Sequence, residues 1–150
     1  MLKRISLVAT AATMAAVALP ADATPVTPKP LSHVRIANHF DLAAGQMPEN
    51  IALLPDGTAN VTFAGSRQIA QITPGGSTRI LATLPAPADG GARTPVLGFP
   101  LTTGIVQAAD GSTYALYATG TADLTGLWRL APGKAPERIA ALPPRACLES

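Results

Sequence analysis

A single cysteine, Cys147, occurs in the 150 residues, so no intramolecular disulfide can form. Charged residues make up only 13% of the chain and aromatics 4%. The two histidines, His33 and His39, lack a spaced carboxylate or thiol, which argues against zinc. Apolar residues reach 47%, too many for an intrinsically disordered chain, and the charge is too sparse for a coiled coil. The formal charge of +2 also shrinks on inspection: beyond residue 23 the chain carries 9 Lys+Arg against 8 Asp+Glu. No clustered basic face remains, which excludes a nucleic-acid partner. No stretch after Ala23 sustains a 3.6-residue apolar period, so helices should be nearly absent. What the chain has in quantity is 15 Pro and 13 Gly, the residues of turns.

Residues 1–23 have the three parts of an export signal. Lys3 and Arg4 form a positive start, residues 5–19 are uncharged and apolar, and Ala21-Asp22-Ala23 is a small-x-small cleavage site. The apolar run is short for a bilayer span, which needs ~20 residues; an uncleaved anchor is the alternative. Residues 24–33 follow as a Pro-rich linker. The expected product is exported, periplasmic or secreted, with no membrane span after cleavage.

The rest of the chain repeats itself. Asp56-Gly57 is echoed by Asp110-Gly111 at an offset of 54, whereas Pro74-Gly75 and Leu84-Pro85 are echoed by Pro132-Gly133 and Leu142-Pro143 at 58. Periods of this size point to propellers, solenoids or arrays. Each copy reads as four short strands, over 50–54, 59–63, 68–72 and 78–83, then 103–108, 112–118, 126–131 and 137–141. The Asp-Gly and Pro-Gly pairs supply the turns, since glycine accepts the positive φ that hairpins require. Tandem four-stranded meanders are propeller blades; an ordinary β-sandwich would not explain the echo. The expected fold is therefore all-β, a partial β-propeller over 34–150, with blade one at about 49–85 and blade two at about 102–143. A third echo, Arg35-Ile36-Ala37, resembles the fourth-strand starts at Arg79 and Arg138 and suits an isolated strand that closes a ring. Propellers use about four to eight blades. Two would leave apolar flanks exposed, so the sequence predicts an incomplete wheel or one that self-associates through those flanks.

The motifs resemble a known family. Pro48-Glu49-Asn50-Ile51-Ala52, then Pro55-Asp56-Gly57 and Val61-Thr62, look like the opening blade of the SMP-30/gluconolactonase/LRE-like family. Thr103-Gly104-Ile105, Asp110-Gly111 through Tyr114, and residues 126–130 resemble the next blade of its exported bacterial branch. The resemblance covers about 34–143, a third of a six-bladed member. Asp-Gly hairpins also suit NHL-type and streptogramin-lyase-type propellers. The family implies a central divalent metal, usually calcium, with Glu49 at the position of its first ligand. It implies lactone hydrolysis, with the metal polarising the carbonyl and helping to activate water, and a small ligand of the lactone or sugar-acid class. The later ligands have no counterpart here, so the chain is expected to be inactive by itself. The competing reading is a non-catalytic NHL-type propeller that binds a small ligand or a protein.

Meander geometry independently places Glu49, loop 64–67, segment 85–101 and loop 119–125 at one end of the blades, with the tight turns at the other. Long loops on a rigid scaffold are where binding usually resides. Glu49 suits a hard cation there, though it equally suits a solvated carboxylate, and Ca²⁺ takes six to eight oxygens. Asp56 and Asp110 read as turn formers, and Asp123 as a side chain closing its own loop. Gly75-Gly76 and Gly90-Gly91 lack the Lys-Ser/Thr of a phosphate loop. Ser32 beside His33 is no triad, and no nucleophile elbow exists. Tyr114 and Trp128 should pack between blades, and Cys147 is an incidental thiol near a loose end.

Overall fold

A computed structural model describes residues 33–94 and 97–144. The proposed signal in 1–23, most of the Pro-rich linker, and Cys147 lie outside those residues. Contacts divide the chain into two units between Val34 and Arg35, and the strands all fall in the second. Its strands are β1 (Pro48–Leu53), β2 (Ala59–Phe63), β3 (Gln68–Ile72), β4 (Thr78–Thr83), β5 (Leu101–Gln107), β6 (Thr113–Ala118), β7 (Gly126–Leu130) and β8 (Glu137–Ala141). They form two antiparallel meanders, ordered β1-β2-β3-β4 and β5-β6-β7-β8, and no helix occurs among the described residues. The fold is all-β: two propeller blades in an open arc.

The turns explain why the copies match. In each blade the hairpin before the second strand closes the same way: Gly57 donates to the Leu54 carbonyl and Leu54 to that of Thr58, as Gly111 does to Ala108 and Ala108 to Ser112. Gly57 and Gly111 share a φ of 82°, in the left-handed region that glycine tolerates best. Asp56 Oδ1 and Asp110 Oδ1 accept from the Thr58 and Ser112 amides at 2.9 and 2.8 Å, so both aspartates form turns. The second turn differs between copies. Positive φ falls at Gly133 in blade two but at Gly76, not Gly75, in blade one.

The first strands begin two residues earlier than the alternation suggests, at Pro48 and Leu101. The cause is a bulge near each start, between Pro48 and Asn50 and between Thr102 and Ile105. A bulge inserts an unpaired residue and so breaks the period-two pattern on which the reading depended.

The two sheets meet face to side-chain face, with β1 and β2 both lying against β5. Ile69, Ala115 and Leu130 form one buried cluster across the interface, and Leu84, Tyr117 and Trp128 another. Trp128 thus packs between blades, but Tyr114, which pairs with Val106 on the far face of β6, turns away from blade one. Polar bonds cross the interface as well: Thr102 Oγ1 donates to the Phe63 carbonyl at 2.6 Å and Thr62 Oγ1 to that of Thr103 at 2.9 Å.

The opposite face of blade one carries Ala59, Val61, Phe63, Ala70 and Ile72. Residues 35–37 are not a strand. Instead the segment runs over this face, where Phe40 meets Phe63 edge to face at 5.4 Å and Asn38 Nδ2 donates to Thr78 Oγ1 at 3.3 Å. The likeness to a fourth strand was carried by three side chains. All three are exposed, Ile36 by 73%, and no strand among the described residues pairs with them.

Candidate functional site

The long irregular connections collect at one end of the arc. Segment 85–100 leaves β4 and returns as β5, and its departure is pinned on both sides. Leu84 N donates to the Arg67 carbonyl at 2.8 Å, and Arg67 Nε donates to the Leu84 carbonyl at 3.2 Å. Arg67 adopts a φ of 59°, a left-handed conformation that costs a non-glycine residue about 1 kcal/mol or more. Two bonds to Leu84 hold it there. Further along, Tyr117 Oη donates to the Pro85 carbonyl at 2.7 Å.

Loop 119–125 is ordered by its threonines. Thr119 Oγ1 lies 2.9 Å from Thr121 Oγ1 and 3.1 Å from Thr125 Oγ1, and Trp128 Nε1 donates to the Leu124 carbonyl at 2.9 Å. Arg138 reaches across to the Ala122 carbonyl at 2.7 Å. The Thr121 hydroxyl holds the Asp123 carboxyl below the usual carboxylate range, with backbone amides and Arg138 adding to the effect.

Between these loops lies a cleft of about 490 Å³ lined by Asp89, Arg93, Thr121 and Asp123. Asp89 Oδ1 accepts from the Gly91 amide at 2.9 Å, and Oδ2 lies 3.6 Å from Arg93 Nε, an ion pair without a hydrogen bond. Gly120, at a φ of 73°, sits against the Arg93 carbonyl so closely that a Cβ would overlap it. Three buried polar atoms have no hydrogen-bond partner among the described residues, namely Ser66 Oγ, Asp89 Oδ2 and Thr94 Oγ1. All three lie in the long connections at this end. Asp89, Arg93 and Thr94 escaped the sequence reading because segment 85–101 has no periodicity to place them.

Glu49 falls on the β1 bulge and is exposed. It lines a groove of about 690 Å³ between blade one's apolar flank and the 35–40 segment, beside Ile51, Leu53 and Arg35. Asn50 Oδ1, its nearest neighbour in sequence, already accepts from the Ile51 amide at 3.0 Å. Among the described residues no group of three or more His, Cys, Asp or Glu stands together. A lone carboxylate gives at most two of the six to eight oxygens that Ca²⁺ takes.

No family model matches the chain, and no curated protein matches it. Solved structures that resemble it include two β-propellers. The PQQ-bound aldose sugar dehydrogenase of Streptomyces coelicolor is 19% identical over 65% of this chain and 31% of its own, with a TM-score of 0.50. Virginiamycin B lyase of Staphylococcus aureus is 18% identical over 66% of this chain and 27% of its own, with a TM-score of 0.44. The chain thus spans under a third of either protein's length.

Proposed function

We propose that this chain contributes the long-loop face of an exported β-propeller that binds a small polar solute of the lactone or sugar-acid class. The observation that carries the reading is the trio of buried, unpartnered atoms at that face, Ser66 Oγ, Asp89 Oδ2 and Thr94 Oγ1. A buried polar group left unbonded costs about 1–3 kcal/mol, and native structures keep such groups few. Two hydroxyls and a carboxylate oxygen suit a ligand rich in hydroxyls and carbonyls. The ligand class itself rests on the resemblance of residues 48–57 to the SMP-30/gluconolactonase family. Thermal unfolding with glucono-δ-lactone and with gluconate tests it: a saturating rise in Tm supports the proposal, and a flat response to both removes it.

Lactone hydrolysis is the finer form of this proposal, with Glu49 supplying one oxygen to a divalent cation, calcium by resemblance. Its test is a calcium titration of the full chain, wild type against Glu49→Gln. Stabilisation lost in the variant supports the assignment, and an identical or flat response in both sinks it.

One observation favours non-catalytic binding instead. Asp89 Oδ1 is taken by the Gly91 amide and Arg93 Nε lies 3.6 Å from Oδ2, an arrangement suited to holding a polar ligand rather than to proton abstraction. Binding without turnover would identify that reading. Export belongs to the same proposal and predicts a mature amino terminus at Thr24. So does self-association, because Val106 on the far face of blade two is 57% exposed while Ile51 and Leu53 on β1 of blade one are 57% and 74% exposed. A monomer by light scattering at all concentrations would contradict it.

A further inference from the structure

At the end of the arc away from the long loops, a second cleft of about 440 Å³ opens between the blades. Asn60, Gln71 and Arg79 line it from blade one, and Gln107, Thr113 and Lys134 from blade two. Its polar groups form one continuous chain. Arg79 Nη2 donates to Gln71 Oε1 at 2.8 Å. Gln71 Nε2 donates to Asn60 Oδ1 at 3.3 Å. Asn60 Nδ2 donates to Gln107 Oε1 at 2.6 Å and to Thr113 Oγ1 at 3.1 Å, and the Thr113 hydroxyl donates to Gln107 Oε1 at 2.6 Å.

The direction of this chain follows from its first member. A guanidinium only donates, so the oxygen of Gln71 must face Arg79. The Gln71 amide nitrogen must then face Asn60, whose oxygen receives it. The Asn60 nitrogen in turn faces the Gln107 oxygen. Every amide oxygen accepts a bond within the chain, and Asn60 is 1% exposed and Thr113 3% exposed, so burial locks the order at its centre. Among the lining groups, donors without a partner in the described residues are the Gln107 Nε2 hydrogens, the rest of the Arg79 fork and the Lys134 ammonium. No Asp or Glu lines the cleft, and neither Arg79 nor Lys134 has a carboxylate partner among the described residues.

We infer that this inter-blade cleft is a binding site for a small oxyanion, a carboxylate or phosphate group, held by Arg79, Lys134 and the Gln107 amide. Two cations and an aligned amide donor match the acceptor-only oxygens of such a group. Because the site draws Arg79 from blade one and Gln107 and Lys134 from blade two, an anion there also fastens the two sheets together. The inference is independent of the long-loop reading, which concerns the other end of the molecule.

The test is a titration of the full chain, followed by the side-chain NH₂ resonance of Gln107 and the Nε–H of Arg79. Inorganic phosphate and acetate are added in separate arms at ionic strength held constant with KCl, since exposed charges are screened by salt. Saturating shifts of the Gln107 amide are expected, with phosphate alone marking a phosphate site and both marking a general oxyanion site. The double variant Arg79→Gln/Lys134→Gln should weaken the apparent affinity at least fivefold. Lys134→Gln alone, at an exposed turn outside the amide chain, should weaken it about twofold and controls for any loss of folding. Linear, non-saturating shifts in both arms, or an unchanged curve in the double variant, would overturn the site.

Discussion

Tyr117, wholly buried in the middle blade interface, donates its hydroxyl to the carbonyl of Pro85 at 2.7 Å, joining the second blade to the first residue of the longest loop. Burial raises the phenol above the usual tyrosine value of 10.0, although Arg67 nearby pulls the other way. The neutral form is thus favoured in the folded state. Its contribution is fully present below the unfolded pKa and is lost as pH rises from about 10 toward the folded one. Alkaline unfolding should therefore begin just above pH 10. In Tyr117→Phe that alkaline loss should diminish, while stability at neutral pH should fall by about 1 kcal/mol for the missing bond. Urea titrations of both proteins across pH 7–11 check both statements.

Asn60 sits at the centre of a buried amide chain and bonds to both blades. Asn60→Ala removes a donor and an acceptor together and leaves Gln71 and Gln107 short of partners. The expected cost is about 1–3 kcal/mol, read as a lower urea midpoint with an unchanged m-value.

Ile69 is fully buried against Ala115 and Leu130 of the other blade, whereas Ile51 on β1 is 57% exposed. Ile69→Ala should cost about 2–5 kcal/mol through lost burial and the cavity left behind. Ile51→Ala should stay within about 1 kcal/mol. Equal costs at the two sites would mean that the blades do not share a core.

Gly120 lies under the Arg93 carbonyl with no room for a Cβ and at a positive φ. Gly120→Ala should therefore push residues 88–94 away from loop 119–125 and open the cleft that holds Asp89 and Asp123. Hydrogen exchange in those two segments should rise about tenfold or more, with the strands of both sheets unchanged.

Much of this architecture was written locally. Asp56-Gly57 and Asp110-Gly111 impose hairpins through glycine's backbone freedom and an aspartate that caps its own turn. Between such marks, residues such as Ala59, Val61 and Phe63 alternate with Asn60 and Thr62, so strand positions follow. The bulges at Glu49 and before Ile105 were not legible, because an inserted residue looks like ordinary sequence until its partner strand is known. The same holds for Arg35-Ile36-Ala37, whose strand-like pattern had no sheet to join. Of the binding end, the grouping of loops could be read from meander geometry. The pairing of Asp89 with Arg93, the anchoring role of Tyr117 and the amide chain from Arg79 to Gln107 could not. Each depends on residues brought together from distant positions by the packing of one blade on the next.

The side-by-side packing of two like sheets is best tested by methyl–methyl nuclear Overhauser effects in a chain labelled at Ile, Leu and Ala. Cross-peaks are expected from Ile69 of blade one to both Ala115 and Leu130 of blade two. Cross-peaks confined to partners within each sheet, with none joining Ile69 to either residue, would contradict it.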